Sequence, residues 1–162
     1  MHQLKYQRRL AIADAFAFAW NRLALPQLNT SEAAVLLPVP LSIQKLSRRG
    51  FNQSWEIARR IRLPPSTQLI ANALGRHHSD ANQVEHTRLD RQTALRHAFY
   101  IHPEVLPKIH NKSIIVFDDV MTTGSTLQEI ATLLKDNGAH SVVNWVVLRT
   151  LRPQTQIHSR NL

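Results

Sequence analysis

The run from Ile114 to Thr126 constrains this chain more than any other stretch of its sequence. Ile114, Ile115, Val116 and Phe117 predict a buried strand, and Asp118 and Asp119 stand at its carboxyl end. Thr122, Thr123, Gly124, Ser125 and Thr126 form a hydroxyl-rich loop with one glycine. Residues 125–137 then place Leu127, Ile130, Ala131 and Leu134 on one helical face, and Gly138 follows as the residue that closes the helix. A strand that feeds a helix through a short loop is a unit of α/β folds, whose ligands gather outside the carboxyl ends of the strands. The loop offers successive backbone N–H groups, side-chain hydroxyls and the positive end of a helix, which together suit a phosphate. Gly124 lets the backbone approach the anion without a Cβ in the way. The two carboxylates repel a phosphate, so their partners are sugar hydroxyls or a divalent cation. The stretch therefore suits a ligand with a phosphate, a diol and Mg²⁺. Blander readings stand beside this one. Ser125-x-x-Gln128 and Thr126-x-x-Glu129 are capping-box patterns, and the acid pair also fits a solvated strand end.

Elsewhere the periodicity supports the same class. Leu10, Ala13, Ala17, Trp20 and Ala24 predict a helix over residues 4–24. Residues 34–41 read as a buried strand whose pairing stops near Pro38 and Pro40, followed by a polar, basic loop up to Asn52. Residues 53–62 read as a helix with Asn52 or Ser54 as N-cap, Glu56 in its first turn, and Arg59, Arg60 and Arg62 at its basic end. A weak strand over Thr67 to Leu74, a helix over 88–97, and strands over 98–101 and 141–149 complete the pattern. The expectation is an α/β fold with a mostly parallel sheet flanked by helices. Residues 1–152 form one domain, with a variable segment at 76–97, and residues 153–162 form a polar tail.

Composition narrows the function classes. Lys and Arg number 20 against 11 Asp and Glu, a formal charge of +9, which favours anionic partners. No cysteine is present, which excludes a disulfide scaffold, a thiol nucleophile and a cysteine zinc site. The nine histidines show no metal-ligand spacing, so no metal site made by protein side chains alone is expected. The basic residues Lys5, Arg8 and Arg9 precede an apolar run that Asp14 interrupts, and no apolar stretch approaches a spanning length. A cytoplasmic protein without membrane insertion is expected.

The stretch 114–126 resembles the phosphoribosyl-pyrophosphate (PRPP) motif of type I phosphoribosyltransferases, matching it at nearly every position. A second likeness is to the ComF/GntX family of phosphoribosyltransferase-like proteins. PVPLSIQKLSRRGFNQSWEIAR resembles its PVPL and RGFNQ segments, and Leu4-Lys5-Tyr6 resembles its early Lys-Tyr motif. Arg76, Gln83, Arg91 and Ala98-Phe99 resemble its middle pattern, so the likeness spans about residues 4–150. It implies a type I phosphoribosyltransferase-like fold and PRPP as ligand, with Mg²⁺. Thr122 to Thr126 would hold the 5′-phosphate, Asp118 and Asp119 the ribose hydroxyls, and Arg48, Arg49 and Gly50 would face the pyrophosphate. Asp118, Asp119 and Arg49 are thereby the candidate catalytic residues.

Departures from the family pattern bear on turnover. Members of the family open with a cysteine zinc ribbon, which this sequence lacks, so it is either a short form or missing its upstream part. Ala94, His97 and His86 stand where the pattern expects Asn, Gly and Leu. Thr122 occupies the place where purine phosphoribosyltransferases carry an Asp base. Three readings follow. The first is transfer of a phosphoribosyl group to an unknown acceptor, with a link to natural competence and DNA uptake. The second is a non-catalytic module that senses PRPP or nucleotide, or that partners a competence helicase. The third is direct binding of single-stranded DNA. At single residues, too, two readings stand. Arg48 and Arg49 suit a solvated basic loop as well as a pyrophosphate, Asn52 an N-cap as well as a ligand, and Trp55 core packing as well as contact with a base.

Overall fold

The computed structural model describes residues 2–24, 34–77 and 98–150, with side chains from residue 11 onward. The expected helix over 88–97 and the polar tail from 153 lie outside the described residues.

The first helix, α1 (His2–Ala19), runs on into one wider π turn (Trp20–Ala24). Its buried stripe is small: Ala13, Ala17 and Trp20. Small side chains let the helix lie close on the sheet, and Trp20 fills the gap edge-on to Phe117 at 5.6 Å and beside Trp145 at 5.7 Å. No helix among the described residues is long and apolar enough to cross a membrane.

Strand β1 (Ala34–Pro38) is followed by two short helices, α2 (Ile43–Arg49) and α3 (Gln53–Ala58), then β2 (Thr67–Leu69) and β3 (Leu74–Arg76). Next come β4 (Phe99–Ile101), a 3₁₀ turn at Pro103–Val105 with the one-turn helix α4 (Leu106–Ile109), and β5 (Ser113–Met121). The chain continues through α5 (Ser125–Asp136) and β6 (Ser141–Arg149).

The main sheet has four strands in the order β2-β1-β5-β6, and every pair in it is parallel. Strands β3 and β4 form a separate antiparallel pair. Alternation along β5 divides the core. Ile114 and Val116 join Leu127, Ile130 and Leu134 of α5 on one face. Ile115 and Phe117 join Ala13 and Ala17 of α1, Trp20 of the π turn and Ile57 of α3 on the other. The sheet is thus flanked by helices on both faces, as expected. Pro38 is tolerated in β1 because β2 has stopped pairing at Leu36, so its missing N–H disrupts no ladder on that side.

Three local expectations need correction. The polar loop after β1 is largely helical: the Ser42 hydroxyl accepts the Lys45 N–H, and Gly50, at φ 83°, closes α2 by donating its N–H to the Leu46 carbonyl. No residue of α2 is buried, so no apolar period announced it. Helix α3 ends at Ala58 rather than 62. Asn21 of the π turn takes over there, donating to the Arg60 carbonyl at 3.2 Å and accepting the Arg62 N–H at 2.9 Å. The weak strand over 67–74 is two strands in two sheets, parted by a turn.

Candidate functional site

Strand β5 delivers Asp118 and Asp119 to the carboxyl edge of the sheet, both half-buried. Residues 122–124 then turn the chain into α5. Gly124 sits at φ 80° as the N-cap and offers no side chain, so the helix start carries no side-chain cap. The capping-box reading fails for a physical reason. Glu129 turns away and accepts the Ala98 N–H at 2.8 Å, tying α5 to the start of β4. Ser125 faces Thr123 instead, with hydroxyls 3.0 Å apart. Among the described residues no carboxylate therefore caps the start of α5; the Thr123 hydroxyl accepts the Ser125 N–H at 3.4 Å, and the next amides keep the free donors of a helix N-terminus. Asp118, Val120, Met121 and residues 122–127 surround a pocket of about 40 Å³ there.

A larger cavity of about 310 Å³ lies on the α1 side. Ile12, Phe16, Phe51 and Ile57 wall it, with Arg49, Gln53 and Asp119 as its polar groups. The Arg49 guanidinium donates to Gln53 Oε1 at 3.2 Å. Arg49 thus shares a cavity with Asp119, whereas Arg48 is exposed and lines neither space. Gly50 acts as the cap of α2 and has no neighbour within 4 Å of a Cβ placed on it.

Ser54 joins the two halves, and sequence reasoning did not single out this role. Its buried hydroxyl lies 3.0 Å from Asp118 Oδ1 and 3.5 Å from Asp119 Oδ1, and it accepts the Asp119 N–H at 3.3 Å. The same N–H also reaches Asp118 Oδ1 at 3.0 Å. Burial pushes the Asp118 carboxyl up to about 6; the Ser54 hydrogen bond opposes that rise, and the Asp119 charge adds to it. Ser54 and Asp118 are 64 positions apart, so no local pattern pointed to the contact.

Helix α3 is held firmly. Asn52 is its N-cap, accepting the amides of Ser54 and Trp55. Behind it Glu56 is buried and bonded to both Arg59 and Arg60, and Arg60 also reaches Asp14 of α1. The basic helix end expected from the sequence is therefore an ion-pair cluster. Trp55 is half-buried and belongs to neither core cluster.

The Phosphoribosyl transferase domain family matches residues 46–161, which include Arg48, Arg49, Gly50, Ser54, the acid pair and the loop at 122–126. The chain is 36% identical over 157 residues to DNA utilization protein YhgH of Escherichia coli strain K12, a match covering 93% of this chain and 66% of that protein. It is 32% identical over 134 residues to Competence protein F of Haemophilus influenzae, covering 76% of this chain and 52% of that one. The chain thus spans just under two thirds of the length of the first of these curated relatives and about half of the second. Among solved structures, the allosteric regulatory enzyme of purine biosynthesis superposes with a TM-score of 0.52 at 18% identity, over 86% of this chain and 26% of that one. The strand–acid-pair–cradle–helix unit, the matched domain and the relatives agree, and the chain belongs to the phosphoribosyl transferase domain family.

Proposed function

We propose that this protein binds PRPP at the carboxyl end of β5 and transfers its phosphoribosyl group to an acceptor. The observation that carries the reading is that Asp118 opens onto the same small pocket as the backbone and hydroxyls of residues 122–126. A 5′-phosphate suits the pocket, since its donors are a helix start and four hydroxyl side chains left uncommitted by any carboxylate. The acid pair suits the ribose diol, because a carboxylate accepts two hydroxyl protons at once. Arg49, in the cavity shared with Asp119, suits the diphosphate leaving group.

The reaction breaks the bond from C1 of the ribose to the pyrophosphate oxygen and forms one from C1 to the acceptor. Pyrophosphate leaves with the bonding pair, and the acceptor loses a proton. The sugar is oxocarbenium-like in between, so the protein's contribution is position and charge. Asp118 and Asp119 orient the sugar and favour its positive character, and Arg49 favours the departing anion.

Mg²⁺ suits the site as a companion of the ligand. Among the described residues no three His, Cys, Asp or Glu side chains gather into a cage. Mg²⁺ commonly keeps several waters and takes one or two carboxylates together with substrate phosphates, and Asp118 and Asp119 could supply those carboxylates. Bound with the diphosphate, the ion would neutralise charge on the leaving group.

The names of the relatives link this reading to DNA utilization and competence, and a cytoplasmic location goes with it. A second reading is favoured by Thr122, which stands exposed at the first loop position where a carboxylate base would sit. In that reading the protein binds PRPP without transferring its sugar and serves a competence helicase or single-stranded DNA. Pyrophosphate release with PRPP, Mg²⁺ and a panel of nucleobases and amines separates the two. Acceptor-dependent release establishes transfer. Tight PRPP binding with no release from any acceptor establishes the sensing module.

A further inference from the structure

We propose that Ser54 is the positioning residue that makes the acid pair read a ribose diol. Adjacent residues of a strand point to opposite faces. Asp118 accordingly opens on the small pocket at the start of α5, while Asp119 opens on the cavity beside α1. Two neighbouring carboxylates also repel each other. Left alone, they would splay apart and read no common ligand.

The Ser54 hydroxyl sits on the ridge between them. It lies 3.0 Å from Asp118 Oδ1 and 3.5 Å from Asp119 Oδ1, and its oxygen accepts the Asp119 N–H. The one hydroxyl proton goes to Asp118 Oδ1, with Asp119 Oδ1 at the limit of its reach, and Oδ2 of each carboxylate is without a hydrogen bond among the described residues, free for two neighbouring hydroxyls. The hydroxyl is itself fixed. Ser54 is buried, its amide is bonded to Asn52 Oδ1, and α3 is anchored at one end to Val39 and at the other to Arg60 and Asp14. No ligand need arrive for the pair to be aligned.

The inference rests on the reading of Asp118 and Asp119 as the diol's partners, and the test keeps the two claims apart. Calorimetric titrations with ribose 5-phosphate, 2-deoxyribose 5-phosphate and inorganic phosphate would compare the parent with Ser54→Ala and Ser54→Thr. The parent should prefer ribose 5-phosphate over its 2-deoxy analogue by about tenfold or more, the size of one hydrogen bond to a charged group. Ser54→Ala should reduce that preference to nearly one, with inorganic phosphate bound as in the parent, and Ser54→Thr should restore it. Ser54→Ala with the parent's preference intact overturns the inference and leaves the diol reading standing. Equal loss of phosphate and ribose 5-phosphate affinity overturns it too, since it marks a merely structural residue. A parent that binds inorganic phosphate but does not distinguish the sugars overturns the diol reading itself.

Discussion

Asn52 donates its side-chain amide to the Val39 carbonyl at 2.9 Å and so fastens the start of α3 to the residue just beyond β1. The same side chain caps α3 through its oxygen. One residue thus sets where Ser54 meets the acid pair. Asn52→Ala loses both functions, a cap of about 1 kcal/mol and a hydrogen bond of about 1 kcal/mol. Urea unfolding should show the combined loss. Asn52→Asp keeps the cap and should lose only the Val39 bond. Equal effects of the two variants would show that the cap contributes nothing.

Two carboxyls give stability opposite dependences on pH. Burial raises Asp118 to about 6, so the folded state binds its proton more tightly than the unfolded chain does. Its effect is to lower stability as pH rises from about 4 to about 6. Asp118→Asn should therefore be more stable than the parent at pH 7, with the gain vanishing below about pH 4. Glu56 runs the other way. Burial alone would raise it, but hydrogen bonds from Arg60 and Arg59 prevail and hold it below its ordinary value. Its stabilisation is present above the unfolded value of 4.5 and is lost as pH falls through the folded one. Glu56→Gln should be destabilised at pH 7 and approach the parent in acid. Unfolding curves from pH 3 to 8 check both signs.

The tip of the Tyr100 ring crowds Gly75, directly opposite it in the β3–β4 pair. A Cβ on Gly75 would meet the ring at 2.1 Å. Gly75→Ala should cost about 1–3 kcal/mol, the usual range for forced overpacking. The double variant Gly75→Ala/Tyr100→Ala should cost less than the sum of its single changes. Additive costs in thermal unfolding would show that the ring moves aside freely.

What the sequence made legible was local. The strand at 114–117, the glycine loop and the amphipathic face of α5 lie within one short stretch, where apolar period and turn chemistry agree. What it hid was non-local or exposed. Helix α2 buries nothing, so hydropathy carries no trace of it. Glu129 follows Thr126 at capping-box spacing, but its side chain answers to Ala98, 31 residues away. Arg48 and Arg49 are adjacent in sequence, yet only Arg49 reaches the cavity of Asp119, because successive residues of a helix point in different directions. Ser54 reads locally as a helix start, and its partners come from the far end of the central strand.

If the acid pair and the loop at 122–126 together form a PRPP site, the ligand must stabilise the fold through both. The most direct test is the melting temperature with and without millimolar PRPP and Mg²⁺, for the parent and for Asp118→Asn/Asp119→Asn. Ligand at about 100 times its Kd stabilises by about 2.7 kcal/mol, which is a shift of several degrees for a domain of this size. That shift is expected in the parent, and its loss in the double variant. A parent that does not shift, or a double variant that shifts as far as the parent, would contradict it.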